Sequence, residues 1–172
     1  LTIAGFLLAF SLFSQKKPLD HSVYDNWKSL AGTTISDDGT IMATLIAPQE
    51  GDTTLMIRDL TNNRSLTVER VNRFSLSSDG KWIVGVIKAP LMERRQARID
   101  KKKGDELPKD TLLIIHHPTF AMEKIAGVKS FKTADESFTH MDYSITLPAD
   151  TAKKEKKKEK PEELLILRNL AS

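Results

Sequence analysis

The sequence predicts an all-β fold that is built from repeated four-stranded antiparallel units. The phrase ISDDGTIMATLI begins at Ile35, and the related LSSDGKWIVGVI begins 41 residues later at Leu76. In both phrases an Asp-Gly pair, which is a strong hairpin signal, precedes a short apolar run. Each phrase is followed by a second β-rich run, TTLMIRDLTNN and then DTLLIIHHPTF. Such units are typical of blades, and we expect a partial β-propeller of about two and a half to three blades.

The predicted strands are short runs that are rich in Ile, Val, Leu and Thr and are bounded by Asp-Gly, Asn-Asn or Pro. In the first unit they cover 32–35, 40–47, 54–60 and 65–69. In the second unit they cover 73–76, 81–88, 111–117 and 123–128. The run KWIVGVIK is apolar without strict alternation, which indicates a strand that is covered on both faces.

A third, degenerate copy of the unit follows. It comprises SFKTADESFTHMDYSITL (130–147), with Asp135-Glu136 in place of Asp-Gly, and EELLILRNLAS (162–172). From the Asp of the turn to the Leu of the third strand the three units span 17, 33 and 29 residues. The excesses of 16 and 12 are close to the lengths of two charged runs, ERRQARIDKKKGDELPKD (93–110) and KKEKKKEKPEE (153–163). Each charged run is therefore predicted as an insertion between the second and third strands of a blade.

The composition of the two charged insertions limits what they can do. They contain 13 of the 26 Lys and Arg residues, interleaved with acids and without an aromatic residue that could stack on a base. Opposite charges three residues apart, such as Glu155 and Lys158, are typical of a solvated helical face. We expect exposed and mobile loops or helices, because so few apolar residues cannot offset the entropy of ordering. No nucleic-acid partner is predicted.

The alternative fold is a β-sandwich in which the turns recur by coincidence. Neither the paired phrases nor the long charged insertions favour the sandwich.

The N-terminal stretch LTIAGFLLAFSLFSQ, residues 1–15, carries no charge. It resembles the apolar region of a secretory signal peptide and is too short for a transmembrane helix. We expect cleavage near Gln15, a mature chain of 16–172 with no stable membrane span, and a secreted or periplasmic location in a bacterium. The alternative is a buried helix at the start of the fold.

The chain has no cysteine, which excludes disulfides, zinc-thiolate sites and a thiol nucleophile.

The histidines do not predict a metal site. His116 and His117 end a predicted strand, so their side chains point to opposite faces and cannot easily share one metal ion. We expect a surface or channel-facing role for this pair, and nothing indicates a ligand role for His21 or His140. Asp37-Asp38-Gly39 lacks the later ligands of a calcium loop and is predicted to be a turn.

Two tryptophans are candidate platforms for a ligand. Trp82 lies in an apolar run and is predicted to be core. Trp27, beside Tyr24, is predicted to anchor the N-terminal segment against the ring. No zinc-protease, P-loop or dinucleotide motif is present. No catalytic, cofactor-binding or metal-binding residue is therefore assigned.

The phrase SSDGKWIVGVI resembles the blades of WD40-like propellers in secreted proteins, and ISDDGTIMATLI is a weaker copy. Two further stretches, KKPLDHSVYDNWKSLAGTTISDDG and PLMERRQARIDKKKGDELPKDTLLI, resemble the N-terminal part of secreted bacterial prolyl-oligopeptidase-type serine peptidases, the S9 family. The resemblance covers Lys16 to Ser172. It implies N-terminal propeller blades, incomplete at the C-terminus, that precede a C-terminal α/β-hydrolase domain.

In that family the hydrolase domain supplies a G-x-S-x-G nucleophile elbow, with Asp and His after it. This chain contains no G-x-S-x-G. The resemblance therefore implies a non-catalytic segment that gates or positions peptide substrates for the hydrolase domain. The alternative function is that of a WD40-like propeller that acts as a binding or scaffold module in an exported protein.

Overall fold

The computed structural model describes residues 21–24, 27–134, 139–146 and 163–170, and antiparallel strands form most of these residues. The proposed signal peptide (1–15), Asp135-Glu136 and nearly all of the second charged run lie outside these residues. The strands are β1 (Lys28–Ile35), β2 (Ile41–Pro48), β3 (Thr54–Asp59), β4 (Ser65–Glu69), β5 (Val71–Leu76), β6 (Trp82–Ile87), β7 (Asp110–His116), β8 (Ala121–Thr133), β9 (His140–Thr146) and β10 (Glu163–Asn169). The helices are α1 (His21–Tyr24) and α2 (Leu91–Ile99), with a 3-10 turn at Gly104–Glu106. All eight strands predicted for the first two units are present, which confirms the all-β fold.

The first blade is a four-stranded antiparallel sheet in the order β1-β2-β3-β4. Arg70, at φ 65°, separates β4 from β5 and leads the chain into the second blade. The second blade contains β5, β6, β7 and the first part of β8, each paired antiparallel with the next. These consecutive four-stranded meanders are the predicted blades of a partial β-propeller.

The second and third blades share one long strand, which the sequence did not predict. Residues 121–128 of β8 pair with β7, and residues 128–133 pair with β9. The register shifts between Val128 and Ser130, next to Gly127 at φ 77°. As a result β5 to β10 form one six-stranded sheet, although the predicted fourth strand of the second unit covered only 123–128.

Two apolar clusters hold the three blades together. Side chains of β6 and β7 alternate between them, because successive residues of a strand point to opposite faces. The face toward the first blade carries Ile83, Ile87, Leu113 and Ile115. The face toward the third blade carries Val84, Val86, Leu112 and Ile114. The prediction that KWIVGVIK is covered on both faces is confirmed.

The first charged insertion lies between β6 and β7, as predicted, and the backbone records its length. Gly39 and Gly80 share φ 68° and are 41 residues apart, whereas Asn63 and Phe120, at φ 52° and 54°, are 57 residues apart. The difference of 16 residues falls within 81–119, which contains the insertion. Most of this segment is exposed, as expected, but part of it is ordered as α2, and Ala97 is buried with 3% exposure.

Within the described ranges, no helix is long and apolar enough to cross a membrane.

Candidate functional site

Polar side chains collect at two opposite ends of the blades. One end, here called the turn end, carries the hairpin turns 36–40, 60–64, 77–81 and 117–120. The other, here called the insertion end, carries the loop 49–53, the crossover residue Arg70 and the insertion between β6 and β7. Antiparallel strands that alternate in direction separate the two sets of loops by the length of a strand.

At the turn end, the first Asp-Gly turn is held by its own side chains. Ser36 Oγ donates to Asp38 Oδ1 at 2.6 Å and accepts the backbone N–H of Ile41 at 3.1 Å. The backbone N–H of Thr40 donates to the same carboxylate oxygen at 3.0 Å. The hydrogen bonds that Asp38 accepts lower its pKa, and the bond from Ser36 has the largest effect. The segment predicted as a turn rather than a calcium loop is a turn.

The second turn repeats this network and stacks on the first. Ser77 Oγ donates to Asp79 Oδ1 at 2.7 Å and accepts the N–H of Trp82 at 2.9 Å. The backbone N–H of Asp37 donates to the carbonyl oxygen of Ser78 at 3.0 Å, which joins the two blades. The Ser-x-Asp-Gly phrase therefore recurs because each blade closes its first hairpin with the same side-chain bonds.

Asp59 forms the centre of a second polar cluster at the turn end. It is buried with 3% exposure, and its Oδ1 accepts the backbone N–H groups of Thr61 and Asn62, both at 2.9 Å. The side-chain amide of Asn62 donates to Asp59 Oδ2 at 3.1 Å. The hydrogen bonds from Asn62 have the largest effect on the pKa of Asp59. Together with the bond from Thr61 and the nearby charge of His117 they lower this pKa to about 2, although burial alone would raise it. Asp59 is therefore ionised at neutral pH.

His117, from the second blade, faces this carboxylate of the first blade. Its Nε2 lies 3.4 Å from Asp59 Oδ2, within ion-pair distance but without the geometry of a hydrogen bond. The ring also meets the edge of Phe120 at 5.3 Å, and the guanidinium of Arg64 lies 4.6 Å from the centre of that ring. The side chain is only 13% exposed, so the expected surface or channel-facing role is wrong for His117. Packing between the blades encloses it.

His116 points the other way, as the strand period predicted. Its ring lies 4.6 Å from the ring of Trp82, and its Nδ1 lies 3.1 Å from Thr119 Oγ1. Trp82 itself is partly buried against the cluster between the second and third blades, in agreement with a core role. The two histidines therefore belong to different interfaces of one blade.

We expect the acid sensitivity of the fold to depend on Asp59. The unfolded pKa of an Asp is about 3.9, so the ionised carboxylate stabilises the fold fully above about pH 4. That contribution is lost as the pH falls through the folded pKa of about 2. Thermal melting of wild type and Asp59→Asn between pH 2 and 7 should show a shallower loss of stability below pH 4 in the variant. Asp100→Asn, on the exposed insertion, is the control, and equal slopes for Asp59→Asn and wild type would contradict the prediction.

At the insertion end, α2 is fastened to the loop of the first blade. Arg94 Nη2 lies 2.5 Å from Asp52 Oδ1, and the backbone N–H of Leu91 donates to Asp52 Oδ2 at 3.1 Å. Arg94 Nε also donates to the carbonyl oxygen of Ala89 at 2.8 Å, and Arg95 pairs with Glu50. The insertion has few apolar residues to offset the entropy of ordering it. These ion pairs and hydrogen bonds help to offset that entropy.

Trp27 stands at the edge of the first blade and contacts the ring of Tyr24 edge-on at 4.9 Å. Its carbonyl oxygen accepts the backbone N–H of Gln49 at 2.8 Å. The indole is 56% exposed. The backbone of Trp27 thus ties the start of β1 to the sheet, while its ring contacts Tyr24 of α1.

The arrangement of acids and histidines offers no metal centre in the part of the chain that the structure describes. No three His, Cys, Asp or Glu side chains converge there. The approach of His117 to Asp59 was not predicted, because the two residues are far apart in sequence. The Asx-turn pattern Asp59-Leu60-Thr61-Asn62 is the local signal that could have indicated a structural role for the carboxylate.

No protein-family model and no curated protein matches the chain. Among solved structures, an acylaminoacyl peptidase in complex with Z-Gly-Gly-Phe-chloromethyl ketone is similar at 12% identity and a TM-score of 0.49, over 76% of this chain and 19% of that chain. The acylaminoacyl peptidase of Pyrococcus horikoshii is similar at 10% identity and a TM-score of 0.46, over 79% and 20% of the two chains.

The β-propeller domain of the Trilobed protease from Pyrococcus furiosus, described as having an open velcro topology, is similar at 16% identity and a TM-score of 0.47. That similarity covers 81% of this chain and 43% of the propeller domain. The chain thus spans about a fifth of the length of the two peptidases. Because these three TM-scores are below 0.5, the blade assignment rests on the strand order, registers and turns described above.

Proposed function

We propose that the chain is a non-catalytic N-terminal propeller segment of an exported serine peptidase of the prolyl-oligopeptidase type. In this proposal the blades restrict or position peptide substrates for an α/β-hydrolase domain that the same protein supplies. The exported location rests on the signal-like stretch at 1–15, and the family rests on the resemblance of 16–39 and 90–114 to that peptidase group.

The observation that carries the proposal is the insertion between β6 and β7. The segment whose sequence resembles the peptidases is a helix, α2, that Asp52 and Arg94 fasten across the first two blades. A blade-type binding module needs only the repeated hairpins. A docked helix at one end of the blades adds a built surface there, which suits a propeller that meets a second domain or a substrate at that end.

The outer faces of the end blades fit further blades on both sides. Leu30 and Ile35 are 72% and 53% exposed on β1, and Leu165 and Leu167 are 69% and 74% exposed on β10. Large exposed apolar side chains on one face of a sheet mark a surface that another element covers. In a propeller, the neighbouring blade is that element.

The second candidate is an exported WD40-like propeller that acts as a binding or scaffold module. The absence of G-x-S-x-G from this sequence agrees with it as well as with the first candidate. The two differ in what the rest of the protein contains, since only the first requires a nucleophilic serine.

The test uses the full-length protein, produced from a reading frame followed past Ser172. A fluorophosphonate probe, which reacts with activated serines, should label the full-length protein at a serine within G-x-S-x-G and should leave the 172-residue chain unlabelled. Full-length protein that carries only further blades and takes up no probe would favour the binding module. Labelling of the 172-residue chain itself would overturn the non-catalytic assignment.

A further inference from the structure

A basic cleft of about 220 Å³ opens at the insertion end, between the second blade and its insertion. Its floor is formed by the ends of β6 and β7 and by the crossover residue Arg70. Its walls are the segment before α2 on one side, and Pro108 and Lys109 from the end of the insertion on the other. The bonds from Asp52 to Leu91 and Arg94 hold α2 in place, so the wall beside Pro90 belongs to a fixed part of the fold.

Four of the ten residues that line the cleft are basic, and one, Glu93, is acidic. Lys88 is paired with Asp110 at 2.6 Å, and Arg70 Nη1 donates to the carbonyl oxygen of Lys88 at 3.4 Å. Lys109 and Lys124 have no ion-pair partner among the described residues. The lining therefore holds two lysines without an ion pair and Arg70, and Glu93 is its one acidic residue.

The chemistry of the cleft selects its ligand. Its volume lies below the range of roughly 300–1,000 Å³ that holds a whole small-molecule ligand, so it suits one anionic group of a larger molecule. The lining contains no aromatic side chain on which a base could stack, which disfavours a nucleic acid. A lysine ammonium group acts as a point charge, so it can bind a carboxylate in any orientation.

We propose that this cleft binds a carboxylate side chain of an acidic peptide, with Lys109 and Lys124 as the principal contacts and Arg70 as the support at its base. The inference is independent of the peptidase assignment, because it concerns only residues of this chain. The affinity is modest and sensitive to salt, since exposed charges are screened within about 10 Å at 0.1 M ionic strength.

The test measures binding of a fluorescein-labelled tetraglutamate peptide to the 172-residue chain at low ionic strength by fluorescence anisotropy. The double variant Lys109→Gln with Lys124→Gln should weaken binding about fivefold or more, from the loss of two charge contacts. The matched control, Lys103→Gln with Lys132→Gln, removes the same net charge from exposed positions outside the cleft and should leave the affinity within about twofold. A labelled tetraglutamine peptide should not bind.

Four outcomes would overturn the proposal. They are the absence of binding, equal weakening by both double variants, equal affinity for the tetraglutamine peptide, and full displacement of the peptide by an equimolar amount of inorganic phosphate. The last would identify a site for small free anions. All variants change exposed lysines, and melting curves that match wild type show that the blades remain folded.

Discussion

Leu112→Ala and Leu113→Ala are each expected to lower the free energy of unfolding by about 2–5 kcal/mol, the usual cost of removing a fully buried leucine side chain. Both residues have 0% exposure, although they are adjacent in β7 and point in opposite directions. Leu113 packs in the cluster with the first blade, and Leu112 packs in the cluster with the third blade. Denaturant unfolding of the two variants measures both losses.

The pair of variants separates a propeller from a sandwich. In a sandwich one face of each strand meets solvent, so only one of the two leucines would be costly to truncate, while the other would change stability by about 0.5 kcal/mol or less. Met92→Ala, at a position with 71% exposure on α2, is the control and should have little effect. Two large losses support stacked blades, and one large loss with one small loss contradicts them.

Gly85→Ala is expected to destabilise the protein by about 1–3 kcal/mol, because it adds a methyl group where the core has no room for one. A Cβ at this position would lie 3.0 Å from the carbonyl oxygen of Arg73 and 3.3 Å from Val71 Cγ1. Gly85 pairs with Phe74, and the register of β5 shifts one pair further along, between Val71 and Arg73, opposite Ile87 and Val86. A backbone oxygen held in a ladder moves less readily than the end of a side chain, so the strain remains.

Gly32→Ala is the matched control for this substitution. Gly32 also lies in a strand beside a register shift, between Leu30 and Gly32. A Cβ added there meets no atom within 4 Å, so the variant should be neutral or slightly more stable. Equal melting temperatures for Gly85→Ala and wild type would show that β5 and β6 are not packed as closely as the structure describes.

The burial of β6 on both faces was predictable from the sequence, whereas its close approach to β5 was not. The apolar run at 81–88 indicated a strand that is covered on both faces, and the structure confirms it with Ile83 and Val84 in different clusters. The close approach of Arg73 to Gly85 was not predictable, because it depends on an irregularity in a neighbouring strand. Periodicity shows which side chains are buried but not how near the opposing backbone comes.

The sequence by itself determined the strands of the first two blades, the two identical hairpin turns and the place of the first charged insertion. These features depend on short-range chemistry. Ser36 and Asp38 bond within one turn, and Ser77 and Asp79 do the same 41 residues later. Residues that are close in sequence make these contacts independently of the tertiary structure, so the contacts can be predicted from the sequence pattern alone.

Only the tertiary structure decided which polar groups meet across blades. Arg94 reaches Asp52 over 42 residues, and Arg168 binds both carboxylate oxygens of Glu123 over 45 residues, at 2.8 and 2.7 Å. The contact between His117 and Asp59, the extension of the predicted strand 123–128 into the long β8 and the basic cleft beside Lys109 belong to the same class. Each depends on how one blade is placed and turned against the next, and that placement results from the packing of two apolar faces, which no local pattern records.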